Sequence, residues 1–192
     1  MTERTYSAAA NWPAPLASGP LHATVKLPGS KSLTNRELVL AALAEGPSTL
    51  LEPLFSRDSR LMIDALSALG ASFELEPNSA QVNPLSSTKA AESVEIDCGL
   101  AGTVMRFVPP LAALHRGRVR FDGDAAARRR PMSTTISSLR ALGVEVIEEG
   151  EPGQLPFTVV GTGEIAGGEL TIDASESSQF VSGLLLSAAR FT

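Results

Sequence analysis

The sequence predicts an α/β (α+β) fold built from a repeated unit, with strands outside and apolar helices buried inside. Three observations lead there. First, the segments "HATVKLPGSKSLTNRELVLAALAEG", "SVEIDCGLAGTVMRFVPPLAALHRG" and "ELTIDASESSQFVSGLLLSAARF" share one order: a short alternating strand, a turn of small polar residues, then a long apolar helix. The spacing is roughly constant, with Arg36 and Arg106 70 positions apart and Asp97 and Asp173 76 apart. Second, a further helix closed by Leu-Gly and followed by a strand runs between copies, in "DSRLMIDALSALGASFEL" and "RPMSTTISSLRALGVEVIEE", with Gly70 and Gly143 73 apart. Third, the leading helices are too apolar to lie on a surface.

In chain order, residues 1–20 are rich in Ala, Pro and Ser and read as a tail or a strap between domains. The first unit takes about residues 21–95, the second 96–168 and the third 169–192. The complete unit reads strand, helix, strand, helix, strand, with a further strand before the next copy. The leading helices "ELVLAALA", "FVPPLAALH" and "FVSGLLLSAA" have almost no polar face, so each is expected to be buried all round. The second helices are amphipathic, with Met62, Ala65 and Leu69 on one face, and Met132, Ile136 and Leu139 on the other helix's face. Gly70 and Gly143 then suit left-handed C-caps. "GTGEIAGG", Gly161 to Gly168, reads as a hairpin-like turn. The third unit stops at Thr192 just after its leading helix, so the chain is expected to be truncated in that unit and to belong to a longer protein.

Composition excludes several classes. The 192 residues are 43% hydrophobic and 19% charged, which is ordinary for a globular protein. A net charge of −5 argues against a nucleic-acid or anionic-membrane partner, because both need a broad basic surface. Any strong anion binding must therefore be local. The single cysteine, Cys98, has no internal disulfide partner, and its apolar strand favours a small buried residue over a nucleophile. There is no signal-peptide core and no run approaching ~18 apolar residues, so a cytoplasmic protein is expected. His22 and His115 are isolated, and neither a metal site nor a cofactor is expected.

The candidate chemistry lies in the strand-to-helix turns. Unpaired N–H groups and the helix dipole favour an anion at a helix start and disfavour cations there. "PGSKSLTNR" nevertheless puts Lys31 and Arg36 at such a start, which makes sense if an anion binds between them. The plainer reading stays open: Ser30, Ser32 and Thr34 as caps, with both cations solvated. "GLAGTVMR" offers glycines for close backbone approach, Thr103, and Arg106 one turn on. "SESSQF" offers Ser177, Ser178 and Gln179, while "DGDAAARRRPM" sets Arg128, Arg129 and Arg130 before Pro131 at a helix N1 position, with at least one arginine solvated. Four such stretches at matching places favour a shared anion site.

On "PGSKSLTNR", "AGTVMR", "RRRP" and "SSQF", in order and spacing, the chain resembles the 5-enolpyruvylshikimate-3-phosphate synthase family from about His22 to Thr192. The resemblance implies two similar inside-out, barrel-like domains of three βαβαββ units around buried helices, with this chain covering most of the shikimate 3-phosphate-binding domain. It implies transfer of the enolpyruvyl group of phosphoenolpyruvate to the 5-hydroxyl of shikimate 3-phosphate, without a cofactor. Lys31 would contact both substrates and serve in proton transfer. Ser32, Arg36, Ser177 and Ser178 would hold shikimate 3-phosphate, Gly102 and Arg130 phosphoenolpyruvate, and Gln179 both. Arg106 would support its loop rather than touch ligand. Leu100 stands where many members have Asn, and Gly102 implies a glyphosate-sensitive kind of site. The family's acidic catalytic residue belongs to the other domain, so this polypeptide alone is expected to bind weakly and not turn over. A full-length member is expected to be monomeric, whereas apolar helices left uncovered here favour self-association. The related UDP-N-acetylglucosamine enolpyruvyl transferases differ, with Lys-Asn where this chain has Lys31-Ser32 and a cysteine before the Arg-Pro element. A non-catalytic repeat scaffold is the rival from another class.

Overall fold

The structure is a computed structural model that describes residues 15–25, 27–86 and 93–192. Most of the expected N-terminal strap, residues 1–14, lies outside the described residues. The elements are α1 (Lys31–Leu43), β1 (Ser48–Leu51), α2 (Arg57–Ala68), β2 (Ser72–Glu76), β3 (Ser79–Asn83), β4 (Ser93–Asp97), α3 (Gly102–Ala113), β5 (Arg116–Asp122), α4 (Ser133–Ala141), β6 (Glu145–Glu148), β7 (Phe157–Thr162) and α5 (Gln179–Ser187). From β4 to β7 the order is strand, helix, strand, helix, strand, strand. From α1 to β3 it is the same without the leading strand.

The two sheets share a plan. The first runs β1-β3-β2, all antiparallel; the second runs β4-β5-β7-β6, with β4 parallel to β5 and the rest antiparallel. Alternation buries one face of each, as in β4, where Val94 and Ile96 point to the core and their neighbours outward. The expected C-caps occur as Schellman motifs. Gly70 (φ 110°) donates to Ser67 O while Ala71 donates to Leu66 O, and Gly143 (φ 81°) and Val144 repeat this with Arg140 O and Leu139 O. The apolar faces of α2 and α4 are buried at Met62, Ala65, Leu69, Met132, Ile136 and Leu139.

Several expectations are corrected. "HATV" and "ELTID" form no strand, because neither has another strand beside it among the described residues and alternation alone cannot satisfy a backbone ladder. "GTGEIAGG" is not a hairpin: Gly161 and Thr162 end β7, and the rest is irregular. Gly161 has a packing role, since a Cβ there would strike the carbonyls of Ala112 and His115 at the end of α3. Pro131 is not at N1, for α4 begins after Met132, whose N–H donates to Gly153 O at 2.8 Å.

Only one leading helix is buried all round. Every residue of α3 from Thr103 to Ala113 is buried, including Pro109 and Pro110, because α2, α5 and β7 surround it. The helices α1 and α5 have fewer neighbours and expose Leu33 (53%), Leu40 (52%) and Leu185 (68%). No helix among the described residues is long and apolar enough to cross a membrane.

Candidate functional site

Three helix starts carry the candidate residues, and each start is built differently. At α1, Ser30 is the N-cap, with Oγ accepting from Leu33 N at 3.4 Å. Gly29 is held so close to the backbone that a Cβ would lie 2.6 Å from Glu52 O. Lys31 follows and pairs with Asp58 on α2, Nζ to Oδ2 at 2.9 Å. Arg36 is not free in solvent. It donates to Ser32 O at 3.0 Å and Ser182 Oγ at 3.5 Å, and its guanidinium lies 5.2 Å from the Phe107 ring centre.

The α3 start follows a tight bend in which Gly99 (φ 50°) donates to Asp97 Oδ1 at 2.7 Å. Its N-cap, Ala101, supplies no side-chain acceptor, so the first amides of α3 have no side-chain cap among the described residues. Two guanidinium groups converge here. A Cβ on Gly102 would sit 2.7 Å from Arg130 Nη2 and 3.0 Å from Arg106 Nη1, so glycine is what allows them to approach. Arg130 is held by Leu100 O at 3.1 Å, a backbone contact that Leu supplies as well as Asn.

Arg106 is only 4% exposed. It donates to Gly102 O at 3.3 Å, Pro131 O at 3.2 Å and Gln179 Oε1 at 3.4 Å, and packs 5.1 Å from the Phe180 ring centre. It thus joins Gly102, the arginine turn and Gln179, three stretches far apart in sequence. No carboxylate lies within ion-pair distance of Arg36, Arg106 or Arg130 among the described residues. Burial, and then the charge of Arg130, lowers the Arg106 pKa to about 10. A buried cation beside another cation with no counter-ion is costly unless an anion arrives.

At α5, Gln179 is the first helical residue and its N–H donates to Ser177 Oγ at 3.2 Å. Ser178 is the N-cap by position and uses its carbonyl for Ser182. The structure therefore brings Gly102, Arg130 and Gln179 together through Arg106, and joins Arg36 to α5. Lys31 is engaged by Asp58, and no hydrogen bond links it to Ser177, Ser178 or Arg130 among the described residues. Of the other arginines, Arg128 pairs with Asp122 at 2.7 Å, and exposed Arg129 caps the local Ala125 carbonyl. Cys98 is buried, and burial followed by the charges of Asp97 and Asp122 pushes its thiol up, which agrees with a small core residue.

The sequence reading missed Asp58, the buried hydrogen bond from Asn35 to Thr103, and the Arg57–Asp124 pair at 3.0 Å. Each acts across 27 or more positions of sequence, and a local pattern carries no signal for such contacts.

The model of the EPSP synthase family, described as 3-phosphoshikimate 1-carboxyvinyltransferase, matches residues 16–192. The chain belongs to the EPSP synthase family. Among curated relatives, a 3-phosphoshikimate 1-carboxyvinyltransferase of Kocuria rhizophila is 58% identical over 188 residues, which is 94% of this chain and 42% of the relative. One from Mycobacterium ulcerans is 53% identical over 185 residues with the same coverage. Among solved structures, an EPSP synthase from Acinetobacter baumannii matches with a TM-score of 0.77 at 26% identity, covering 87% of this chain and 38% of that one. This EPSP synthase family chain thus spans 42% of the length of the curated relatives it matches.

Proposed function

We propose that this chain is the shikimate 3-phosphate-binding part of an enolpyruvyl transferase of aromatic amino acid biosynthesis. The observation that carries the reading is the pair Arg106 and Arg130 at the start of α3, two cations around Gly102 with no carboxylate in ion-pair distance among the described residues. Two anionic substrates held side by side need such a surface. Residues 21–192 form that domain, with units at about 21–95, 96–168 and 169–192, and the inside-out arrangement is completed by chain outside this segment. The setting is the cytoplasm.

In the reaction, the 5-hydroxyl oxygen of shikimate 3-phosphate bonds to C2 of phosphoenolpyruvate while the methylene carbon gains a proton. The tetrahedral intermediate then loses inorganic phosphate and the methyl proton, which restores the double bond. Ser32, Arg36, Ser177 and Ser178 hold shikimate 3-phosphate; Gly102 and Arg130 hold phosphoenolpyruvate; Gln179 meets both. Lys31 leaves Asp58 to contact both substrates and to serve in proton transfer. The full-length protein is inhibited by glyphosate; inhibition that stays flat at high glyphosate overturns that point. The exposed Leu33, Leu40 and Leu185 support self-association of this chain alone, read by analytical ultracentrifugation.

The deciding experiment is calorimetric titration of shikimate 3-phosphate into this chain, Lys31→Ala and Ser177→Ala. Binding weakened by both changes supports the reading. A folded wild-type chain that shows no heat and no thermal shift with either substrate overturns it.

A further inference from the structure

Counted from their N-caps, the three site helices can be superposed in sequence: Lys31, Gly102 and Gln179 are first residues, and Asn35, Arg106 and Gly183 are fifth. The fifth residues of the first two helices do the same thing. Asn35 reaches from α1 to Thr103, the second residue of α3, with Nδ2 donating to Oγ1 at 2.6 Å. Arg106 reaches from α3 to Gln179, the first residue of α5, at 3.4 Å. Arg36 on α1 closes the ring by donating to Ser182 on α5 at 3.5 Å. A belt of three side-chain links therefore runs around the helix starts that carry the candidate ligands.

We propose that Asn35 is a positioning residue, which through Thr103 fixes the Gly102 turn against the α1 turn and so sets the phosphoenolpyruvate-side donors relative to the shikimate 3-phosphate side. The proposal rests on the functional reading above for the identity of the ligands, but not for the link itself.

Four features favour positioning over packing. Asn35 is wholly buried and its Oδ1 has no partner among the described residues, a cost that an apolar side chain of similar size would avoid. Its bond to Thr103 is the shortest link in the belt. Thr103 directly follows Gly102, so movement of one moves the amide of the other. Arg130 and Asp97 hold the turn at Leu100 and Gly99, whereas Ala101 gives α3 no side-chain cap, so the tie to Asn35 adds a restraint from α1 at the second helical residue itself.

The test uses this 192-residue chain with Asn35→Leu, Thr103→Val and Thr103→Ser. Amide hydrogen exchange is read first, without ligand. In Asn35→Leu and Thr103→Val, the amides of Met105 and Arg106 are expected to exchange at least about tenfold faster, while those of Ala42 in α1 and Val159 in β7 keep their rates. Thr103→Ser keeps the hydroxyl and is expected to behave as wild type. Phosphoenolpyruvate is then titrated into chain already loaded with shikimate 3-phosphate. Its affinity is expected to fall about fivefold or more in the first two variants, with shikimate 3-phosphate binding within about twofold. Parallel acceleration of all four amides means Asn35 is only packing and overturns the proposal, as do unchanged α3 amides in folded variants. If wild type binds neither ligand, the functional reading fails, whereas the exchange rates still decide whether Asn35 sets the turn. If Asn35→Leu does not fold, the contrast between Thr103→Val and Thr103→Ser decides the same question.

Discussion

The segment α1 to β3 and the segment β4 to β7 follow one plan and differ in how heavily it is filled. Their sheets correspond, β1-β3-β2 with β5-β7-β6. Where Leu50 faces Ala80 in the first, Phe121 faces Phe157 in the second, with ring centres 5.2 Å apart. The leading helices differ in the same sense, since α1 exposes Leu33 and Leu40 whereas α3 is buried from Thr103 to Ala113. The two helices also differ in sequence, since α1 carries Lys31, Arg36 and Glu37 whereas Arg106 is the one charged residue of α3. The contrast teaches that a short apolar run inside a helix does not bury the whole helix when charged residues share its turns.

The largest test of this contrast removes the aromatic pair. Phe157→Ala is expected to cost about 3–5 kcal/mol, and Leu50→Ala, beside the small Ala80, about 2 kcal/mol, both measured by denaturant unfolding. Equal costs would break the contrast. Next, Gly102→Ala forces Arg106 and Arg130 aside and is expected to weaken phosphoenolpyruvate binding about tenfold, worth ~1.4 kcal/mol, with shikimate 3-phosphate binding on the α1 side unchanged in calorimetry. The two Schellman glycines sharpen the similarity instead. Gly143→Ala meets no atom within 4 Å, so its expected loss of about 1 kcal/mol in thermal unfolding isolates backbone conformation. Gly70→Ala at φ 110° is expected to cost more.

The smallest effect is acid sensitivity in the second segment. Asp122 is held below its ordinary pKa of 3.8, first by its hydrogen bond from Arg128. A carboxyl with a lowered folded pKa stabilises the fold above its unfolded pKa, and that stabilisation is lost as pH falls through the folded value. Asp122→Asn is expected to lower stability slightly at neutral pH, where the ionised carboxylate contributes, and to flatten the acid limb so that the variant approaches wild type below about pH 4, read by thermal melts across pH.

Much of this was legible from local pattern. The C-caps at Gly70 and Gly143, the apolar faces of α2 and α4 and the helix starts at Lys31, Gly102 and Gln179 all depend on neighbours within a few residues. What depends on distant partners was not. "SVEID" and "ELTID" alternate alike, yet among the described residues only the first has a strand beside it. The Arg36–Arg106 correspondence is off by one, because the N-caps Ser30 and Ala101 are 71 apart, which aligns Arg106 with Asn35. Asp58 could not have been matched to Lys31 without knowing that α2 lies beside α1.

The crowding of cations at α3 makes the choice of buffer part of any measurement on this protein. Because burial and the charge of Arg130 lower the Arg106 pKa to about 10, the folded chain bears an unfavourable charge at every ordinary working pH, and that burden lifts only as pH rises above that value. On the proposed reading of this site, phosphate or sulfate is expected to relieve that burden by binding there, so melting temperatures are expected to be higher in phosphate than in a zwitterionic buffer.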